Sequence, residues 1–169
     1  MSRTLSTVVA LLAAAALTVS AQMTHVTMKD AQGKEVGMVM LSPATGGGVT
    51  VAYDFKGLPP GEHALHIHAV AKCEPPFTSA GPHFNPQTKK HGMENPEGPH
   101  AGDMPNIKVA ADGTAKGSLT NKNVTMGAEP NSVLNATGTA IVVHAAADDM
   151  KTDPSGNAGD RIACGVVAK

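Results

Sequence analysis

Residues 61–103 carry six of the chain's eight histidines, His63, His66, His68, His83, His91 and His100, and the stretch closes on Asp103. Only His25 and His144 lie outside it. Neutral imidazole is the commonest protein ligand for zinc and copper, and a carboxylate is a frequent companion. A lone His-x-His in a strand carries little weight, because surface or hydrogen-bonded histidines are ordinary. Six imidazoles and a carboxylate within 43 residues, beside prolines and glycines that fix loop geometry, point to a metal site and to more than one ion.

The spacing adds a geometry. In Leu65-His66-Ile67-His68 the histidines alternate with apolar residues, and a strand of period two puts His66 and His68 on one face. Two imidazoles can then share one metal while Leu65 and Ile67 pack into a core. His63 has the parity of Leu65 and Ile67, so it points away from the pair and reads as a structural, hydrogen-bonded histidine. After Cys73 the chain is loop-like, with Pro75, Pro76, Gly81, Pro82 and Pro86, and there His83, His91, His100 and Asp103 appear. Ligands on a long loop need the metal, or a covalent tie, to hold them in place.

At 169 residues the chain has the length of one domain. Residues 1–21 have the form of a secretory signal: Arg3 near the amine, a ten-residue apolar run over residues 8–17, and the small-residue cleavage site Val19-Ser20-Ala21. That run is too short for a permanent membrane helix, and no later stretch is long and apolar enough to anchor the chain. The expected mature domain is residues 22–169, periplasmic or secreted. Without Arg3 it has 12 basic against 14 acidic side chains, a balance that argues against nucleic acid as a partner. Two cysteines, Cys73 and Cys164, are an even count that in an exported chain favours a disulfide. Free buried thiols fit export poorly, and thiolate metal ligands are unnecessary where histidine is abundant.

Short strands joined by turns account for the rest. Residues 24–29 and 35–41 flank a turn at residues 30–33, residues 43–48 break the chain, and residues 49–55 alternate with Val49, Val51, Tyr53 and Phe55 on one face. Residues 107–110 lead through Asp112-Gly113, a hairpin signal, to a strand over residues 114–119, and residues 140–144 form another. With almost no helical periodicity, the pattern indicates an antiparallel sandwich or barrel. His25 reads as an exposed strand residue.

Taken together, Gly61-x-His63-x-x-His66-x-His68, Cys73, the run from Ser79 through Gly81, Pro82 and His83 to Pro86, His91-Gly92, His100-x-Gly102-Asp103, Val143-His144 and Gly159-x-Arg161-x-x-Cys164-Gly165 resemble the copper/zinc superoxide dismutases, in their bacterial, exported form. The likeness spans essentially the whole mature chain. It implies an all-β, eight-stranded antiparallel Greek-key β-barrel, an immunoglobulin-like sandwich, with long metal-binding and electrostatic loops outside it. It implies copper at His66, His68, His83 and His144, zinc at His83, His91, His100 and Asp103, and His83 bridging both ions. Cys73 and Cys164 correspond to the family's disulfide, Asp148 to the carboxylate that holds ligands of both metals, and Arg161 to the cation that attracts the anion. His83 and Arg161 would be the catalytic residues, and superoxide the substrate.

Some positions depart from the family pattern. Ala64 and Ala71 stand where many relatives have glycine, which matters only if either backbone needs a positive φ. Asp160 sets a negative charge beside Arg161, the single arginine left after cleavage. The loop over residues 149–159 carries Lys151 against Asp149 and Asp153, a weak guiding field. An exported copper- and zinc-binding storage or delivery protein without turnover is the competing reading, and a full ligand set together with Arg161 weighs against it. A purely structural zinc domain leaves His66, His68 and His144 unexplained. The family includes monomers and dimers, so a homodimer stays open. The sequons at Asn123 and Asn135 matter only in a eukaryotic secretory route.

Overall fold

The structure, a computed structural model, describes residues 23–168, and the leader expected over residues 1–21 lies outside them. Among the described residues there are nine strand segments and one 3₁₀ turn. The strands are β1 (Thr24–Asp30), β2 (Glu35–Pro43), β3 (Val49–Phe55), β4 (Gly61–His63), β5 (Leu65–His68), β6 (Ile107–Val109), β7 (Ala115–Asn121), β8 (Thr139–His144) and β9 (Arg161–Val167), and the 3₁₀ turn is Thr78–Ala80. Ala64 alone separates β4 from β5. Its N–H donates to the Ala146 carbonyl at 2.9 Å and its carbonyl accepts from the His144 N–H at 2.9 Å, so β4 and β5 are one strand that changes partner. The nine segments are therefore the eight strands of the expected barrel.

All pairings between the named strands are antiparallel, in the order β5-β8-β9-β1-β2-β3-β7, with β4 and β6 as a separate pair. β6 enters β7 through the tight turn at residues 110–114, where the Ala110 N–H donates to the Thr114 carbonyl at 2.8 Å and Gly113 adopts φ +81°. Because β4 continues into β5 and β6 leads into β7, the β4–β6 pair connects the two ends of the seven-stranded sheet, which curls into a half-barrel. The last two strands return to lie between β5 and β1, which is the Greek-key crossing.

β9 is a strand that the sequence pattern does not mark, since Gly165 interrupts its only apolar run. The glycine is there for contact. A Cβ at that position would lie 2.5 Å from Val26 Cγ1 and 2.6 Å from Met28 Sδ, inside the barrel core. Aromatics being scarce, the core is aliphatic: Val26, Met28, Val39, Leu41, Val51, Leu65, Ile67, Ile141 and Val143 are all at or below 1% exposure, with Phe55 the largest ring among them.

β5 and β8 are buried on both faces, and this positions the site. Their inward residues Leu65, Ile67, Ile141 and Val143 join the barrel core. Their outward residues include Ala140 and Val142, which pack with Phe77, Ala80 and Cys164 into a second apolar cluster beneath the long loop. The same outward face presents His66, opposite Val142, and His68, opposite Ala140. A register shift between Val143 and His144 sets His144 against Arg161 on β9. Bulges of this kind re-aim side chains, and here the two residues concerned are both site residues.

The free edge of β5 is paired by the loop itself. Ile67 N–H donates to the Gly102 carbonyl (2.9 Å), Phe84 N–H to the Ile67 carbonyl (2.8 Å) and Gly102 N–H to the Phe84 carbonyl (2.8 Å). This closed triangle fastens His83 beside His68, and His100 and Asp103 on either side of Gly102. Asn121, at the end of β7, holds the same loop by donating to the carbonyls of Ala101 (2.8 Å) and Asp103 (3.3 Å). The Cys73–Cys164 disulfide is formed and spans 91 residues, tying the start of the loop to β9. Ala64 and Ala71 are absent from the residues with positive φ, so neither alanine is strained.

A side chain at Gly102 would overlap the Ile67 carbonyl oxygen, a backbone atom with no room to yield. Gly102→Ala should lower the unfolding free energy of the metal-free protein by about 1–3 kcal/mol, the usual range for overpacking. Urea denaturation of the two proteins checks this.

Candidate metal centre

Three groups of buried donors converge on the outer face of β5 and β8, each with one atom per residue lying within 4.8 Å of the others: His66, His68, His83 and His144; His83, His91, His100 and Asp103; and His66, His91 and Asp148. Every metal-site residue expected from the sequence is in place. His83 belongs to the first two groups and Asp148 joins them through the third. His63 stands apart as expected. Its Nδ1 lies 2.8 Å from the His144 carbonyl and its Nε2 2.8 Å from the Pro59 carbonyl, which pins β4 to the end of β8. His25 is exposed on β1.

Hydrogen bonds decide which ring nitrogen of each histidine is free. His68 Nδ1–H donates to the Gly81 carbonyl at 2.8 Å and His144 Nδ1–H to the Gly159 carbonyl at 3.2 Å, so both turn a bare Nε2 inward. Those two Nε2 atoms lie 3.3 Å apart. His66 Nε2–H donates to Asp148 Oδ2 at 2.8 Å, which leaves Nδ1 as its bare nitrogen. Two buried polar side-chain atoms among the described residues have no partner, His66 Nδ1 and His83 Nε2. An unpaired buried polar atom is costly. Four bare imidazole nitrogens facing one point make sense only around a cation, and an all-imidazole set is what copper in either oxidation state accepts.

The second group is built around one oxygen. Asp103 Oδ1 lies 2.9 Å from His83 Nδ1, 3.1 Å from His91 Nδ1 and 3.4 Å from His100 Nδ1. Its partner Oδ2 accepts the backbone N–H groups of Gly92 and His100, both at 2.9 Å. Three imidazoles and one carboxylate in this arrangement match a closed, four-coordinate zinc site.

Asp148 couples the groups, because Oδ2 accepts from His66 and Oδ1 from His91 Nε2 at 2.9 Å. Asn106 holds it in reciprocal fashion, donating Nδ2–H to the Asp148 carbonyl (2.9 Å) and accepting the Asp148 N–H (2.8 Å). Sequence reasoning found Asp148 but missed Asn106, Asn121 and Gly156, which belong to no ligand pattern. The backbone of Gly156 passes so close to Asp148 that a Cβ would overlap Oδ1 and lie 2.7 Å from His91 Nε2.

Charge follows from the same contacts. Burial, and then the neighbouring His83, lowers His68 to about 2. Burial, and then His66, lowers His144 to about 3. Burial also dominates at His83, against the opposing Asp103 hydrogen bond, and brings it to about 4. His91 goes the other way: burial disfavours its charge, but bonds to Asp103 and Asp148 outweigh burial and raise it to about 9. Asp103 and Asp148 resist the upward push of burial through their histidine and backbone donors and stay well below the usual carboxylate range.

Arg161 lies on the wall of an open depression of about 950 Å³ that reaches His83, His100 and His144 and is rimmed by Lys89, Lys90 and Asp153. Its guanidinium donates to the carbonyls of Phe77 (2.7 Å) and Gly81 (2.8 Å). The Gly81 oxygen thus serves both Arg161 and His68. No carboxylate, Asp160 included, forms a salt bridge with Arg161 among the described residues. Lys151 faces Glu94 at 2.9 Å, away from the depression, as its loop's weak field implied. Lys89 and Lys90 line the same depression, and Lys90 lies 3.5 Å from Asp153.

An all-β fold carrying two groups of buried donors that could each hold a metal ion, with one histidine in both, defines a narrow class of protein. The family model described as copper/zinc superoxide dismutase matches residues 35–167. Among characterised relatives, superoxide dismutase [Cu-Zn] 1 of Aquifex aeolicus is 48% identical over 147 residues, covering 85% of this chain and 86% of the relative. The superoxide dismutase [Cu-Zn] of Caulobacter vibrioides is 43% identical over 145 residues, covering 83% and 82%. In three dimensions the Cu/Zn superoxide dismutase of Brucella abortus superposes with a TM-score of 0.72 at 30% identity, covering 86% of this chain and 99% of that one. A double mutant of a SOD-like protein from Bacillus subtilis superposes with a TM-score of 0.84 at 38% identity, covering 86% and 97%. The chain belongs to the copper/zinc superoxide dismutase family.

Two outcomes test the centre. The lowered values of His68, His83 and His144 mean that the unfolded chain binds more protons than the folded one below about 6.5. Stability of the metal-free protein is then full above pH 6.5 and is lost as pH falls through 4, while His91 makes an opposite, smaller loss as pH rises toward 9. Urea midpoints measured from pH 4 to 9 should peak near neutrality. Gly156→Ala should displace Asp148 and weaken zinc by about ten- to a hundredfold, the usual effect of losing an outer-shell partner. Competition with a chelator reads that affinity.

Proposed function

We propose that the chain is an exported superoxide dismutase, cleaved after residue 21, whose mature domain spans residues 22–169 and works in the periplasm or outside the cell. His66, His68, His83 and His144 would hold copper, and His83, His91, His100 and Asp103 would hold zinc. The observation that carries this reading is the set of bare ring nitrogens at the foot of a depression whose wall is Arg161. A storage protein has no need of an anion-attracting wall beside its copper.

Copper, when bound, supplies one-electron exchange, so that two superoxide anions and two protons become oxygen and hydrogen peroxide. The residues do the rest. Arg161, half-buried and fixed by two carbonyls, presents its remaining N–H groups to a small anion, and Lys89 and Lys90 extend the positive field outward. His83 Nε2, its one atom without a hydrogen-bond partner, would be free to hold and release a proton whenever it is not a copper ligand, while Nδ1 stays turned to Asp103. Zinc has no redox chemistry and fixes that ring. The disulfide holds the loop that offers Phe77 and Gly81 to Arg161. The disulfide accords with export, and no helix among the described residues is long and apolar enough to cross a membrane.

Superoxide decay followed at several ionic strengths, on mature protein loaded with one copper and one zinc, tests the reading. A second-order constant of about 10⁸–10⁹ M⁻¹s⁻¹ at low salt is expected. Arg161→Ala should cut it at least about tenfold and flatten its salt dependence with copper still bound. Full copper occupancy without decay would assign the chain to metal storage instead.

A further inference from the structure

The outer face of β1 and β2, a region separate from the metal centre, carries a second set of metal donors. His25 on β1 pairs in register with Met40 on β2, and Thr27 pairs with Met38. Directly opposed residues have Cβ atoms about 4.5–5.5 Å apart, within easy reach of an imidazole and a thioether. His25 Nδ1 lies 3.3 Å from Met38 Sδ. Met38 is 45% exposed, an unusual outlay of apolar surface on a strand face turned to solvent. All three side chains line one shallow depression together with Ala52, Tyr53, Asp54, Lys116, Gly117 and Ser118. Asp54, the only carboxylate there, is already paired with Lys116. Two thioethers and one imidazole are the soft ligand atoms of the depression, and the carboxylate beside them has one oxygen engaged by Lys116.

Ligand softness selects the ion. Thioethers favour Cu(I), imidazole accepts it, and magnesium, calcium and manganese ask for oxygen. Typical bonds of about 2.0 Å to nitrogen and about 2.3 Å to sulfur place two donors of one ion roughly 3–3.7 Å apart for bond angles from about 90° to 120°, a range that includes the 3.3 Å between His25 Nδ1 and Met38 Sδ. Strands fix the backbone under all three residues, so little ordering is needed on binding.

We propose that His25, Met38 and Met40 form a surface binding site for Cu(I), separate from the metal centre under the loops. The site holds a third metal equivalent in the reduced state, accessible from solvent, on a protein whose buried centre is already filled.

The test uses mature protein loaded with one copper and one zinc, titrated with Cu(I) under anaerobic conditions against the chromophoric chelator bicinchoninate. One further Cu(I) equivalent should bind, and an excess of Zn(II) should not displace it. Met38→Leu/Met40→Leu, which keeps apolar volume, and separately His25→Ala should each weaken that equivalent at least tenfold while the copper and zinc of the buried centre stay in place. The methionine methyl resonances of Met38 and Met40 should shift on addition of Cu(I). Failure to bind a third equivalent, or equal binding by the wild type and both variants, would overturn the assignment. A change in sedimentation of the variants with unaltered Cu(I) uptake would make this face a protein contact and overturn it equally. The outcome is independent of the dismutase reading, since no step of the test measures superoxide.

Discussion

Everything on the outer face of β5 and β8 depends on burying charge-seeking atoms where water cannot serve them. His66, His68, His83, His91, His100, His144, Asp103 and Asp148 are all at or below 6% exposure. The carboxylates are satisfied by backbone and imidazole N–H groups, but the imidazoles turn several lone pairs at one another. The bare Nε2 atoms of His68 and His144 face across 3.3 Å, and two further nitrogens have no partner at all. Such an arrangement is stable to folding only because the barrel beneath is complete without it. The aliphatic interior is closed by its own strands, so the outward face can carry an unfavourable constellation that cations resolve.

The loop's attachment to that barrel is equally physical. β5 is an edge strand, and an unpaired edge is normally a liability. Phe84 and Gly102 occupy it, which turns the liability into a mount for His83, His100 and Asp103. Asn121 and the disulfide hold the loop at two further points. Three independent attachments explain how a stretch dense in proline and glycine delivers ligands to within hydrogen-bonding distance of one another.

Much of this was legible in the sequence. The alternation of Leu65, His66, Ile67 and His68 correctly separated core from metal face, and the parity of His63 correctly removed it from the ligand set. Asp112-Gly113 marked a tight turn, although the strands it joins pair with other partners. The ligand clusters form as the family likeness implied. β9 was not legible as a strand, because its composition is governed by close contact with Val26 and Met28 and not by period two. Nor were Asn106 and Gly156, whose importance lies in where another segment happens to pass. The cautions over Ala64 and Ala71 dissolve for the same kind of reason: backbone angle is a property of the folded chain. Lys89 and Lys90 escaped notice because the guiding charge comes from a different loop than the one searched.

His83 is the one residue common to the two four-donor groups, while His66 and His91 are each shared only with the three-donor group around Asp148. That sharing makes the two groups unequal under evolutionary drift. A lineage that loses His144 or His68 keeps four donors around Asp103 and can persist as a zinc-stabilised barrel. A lineage that loses His83 is left with three donors in each group and loses the link between them. Descendants of such a chain that shed redox chemistry yet keep their architecture should therefore differ first at positions 68 and 144, with position 83 among the last to change.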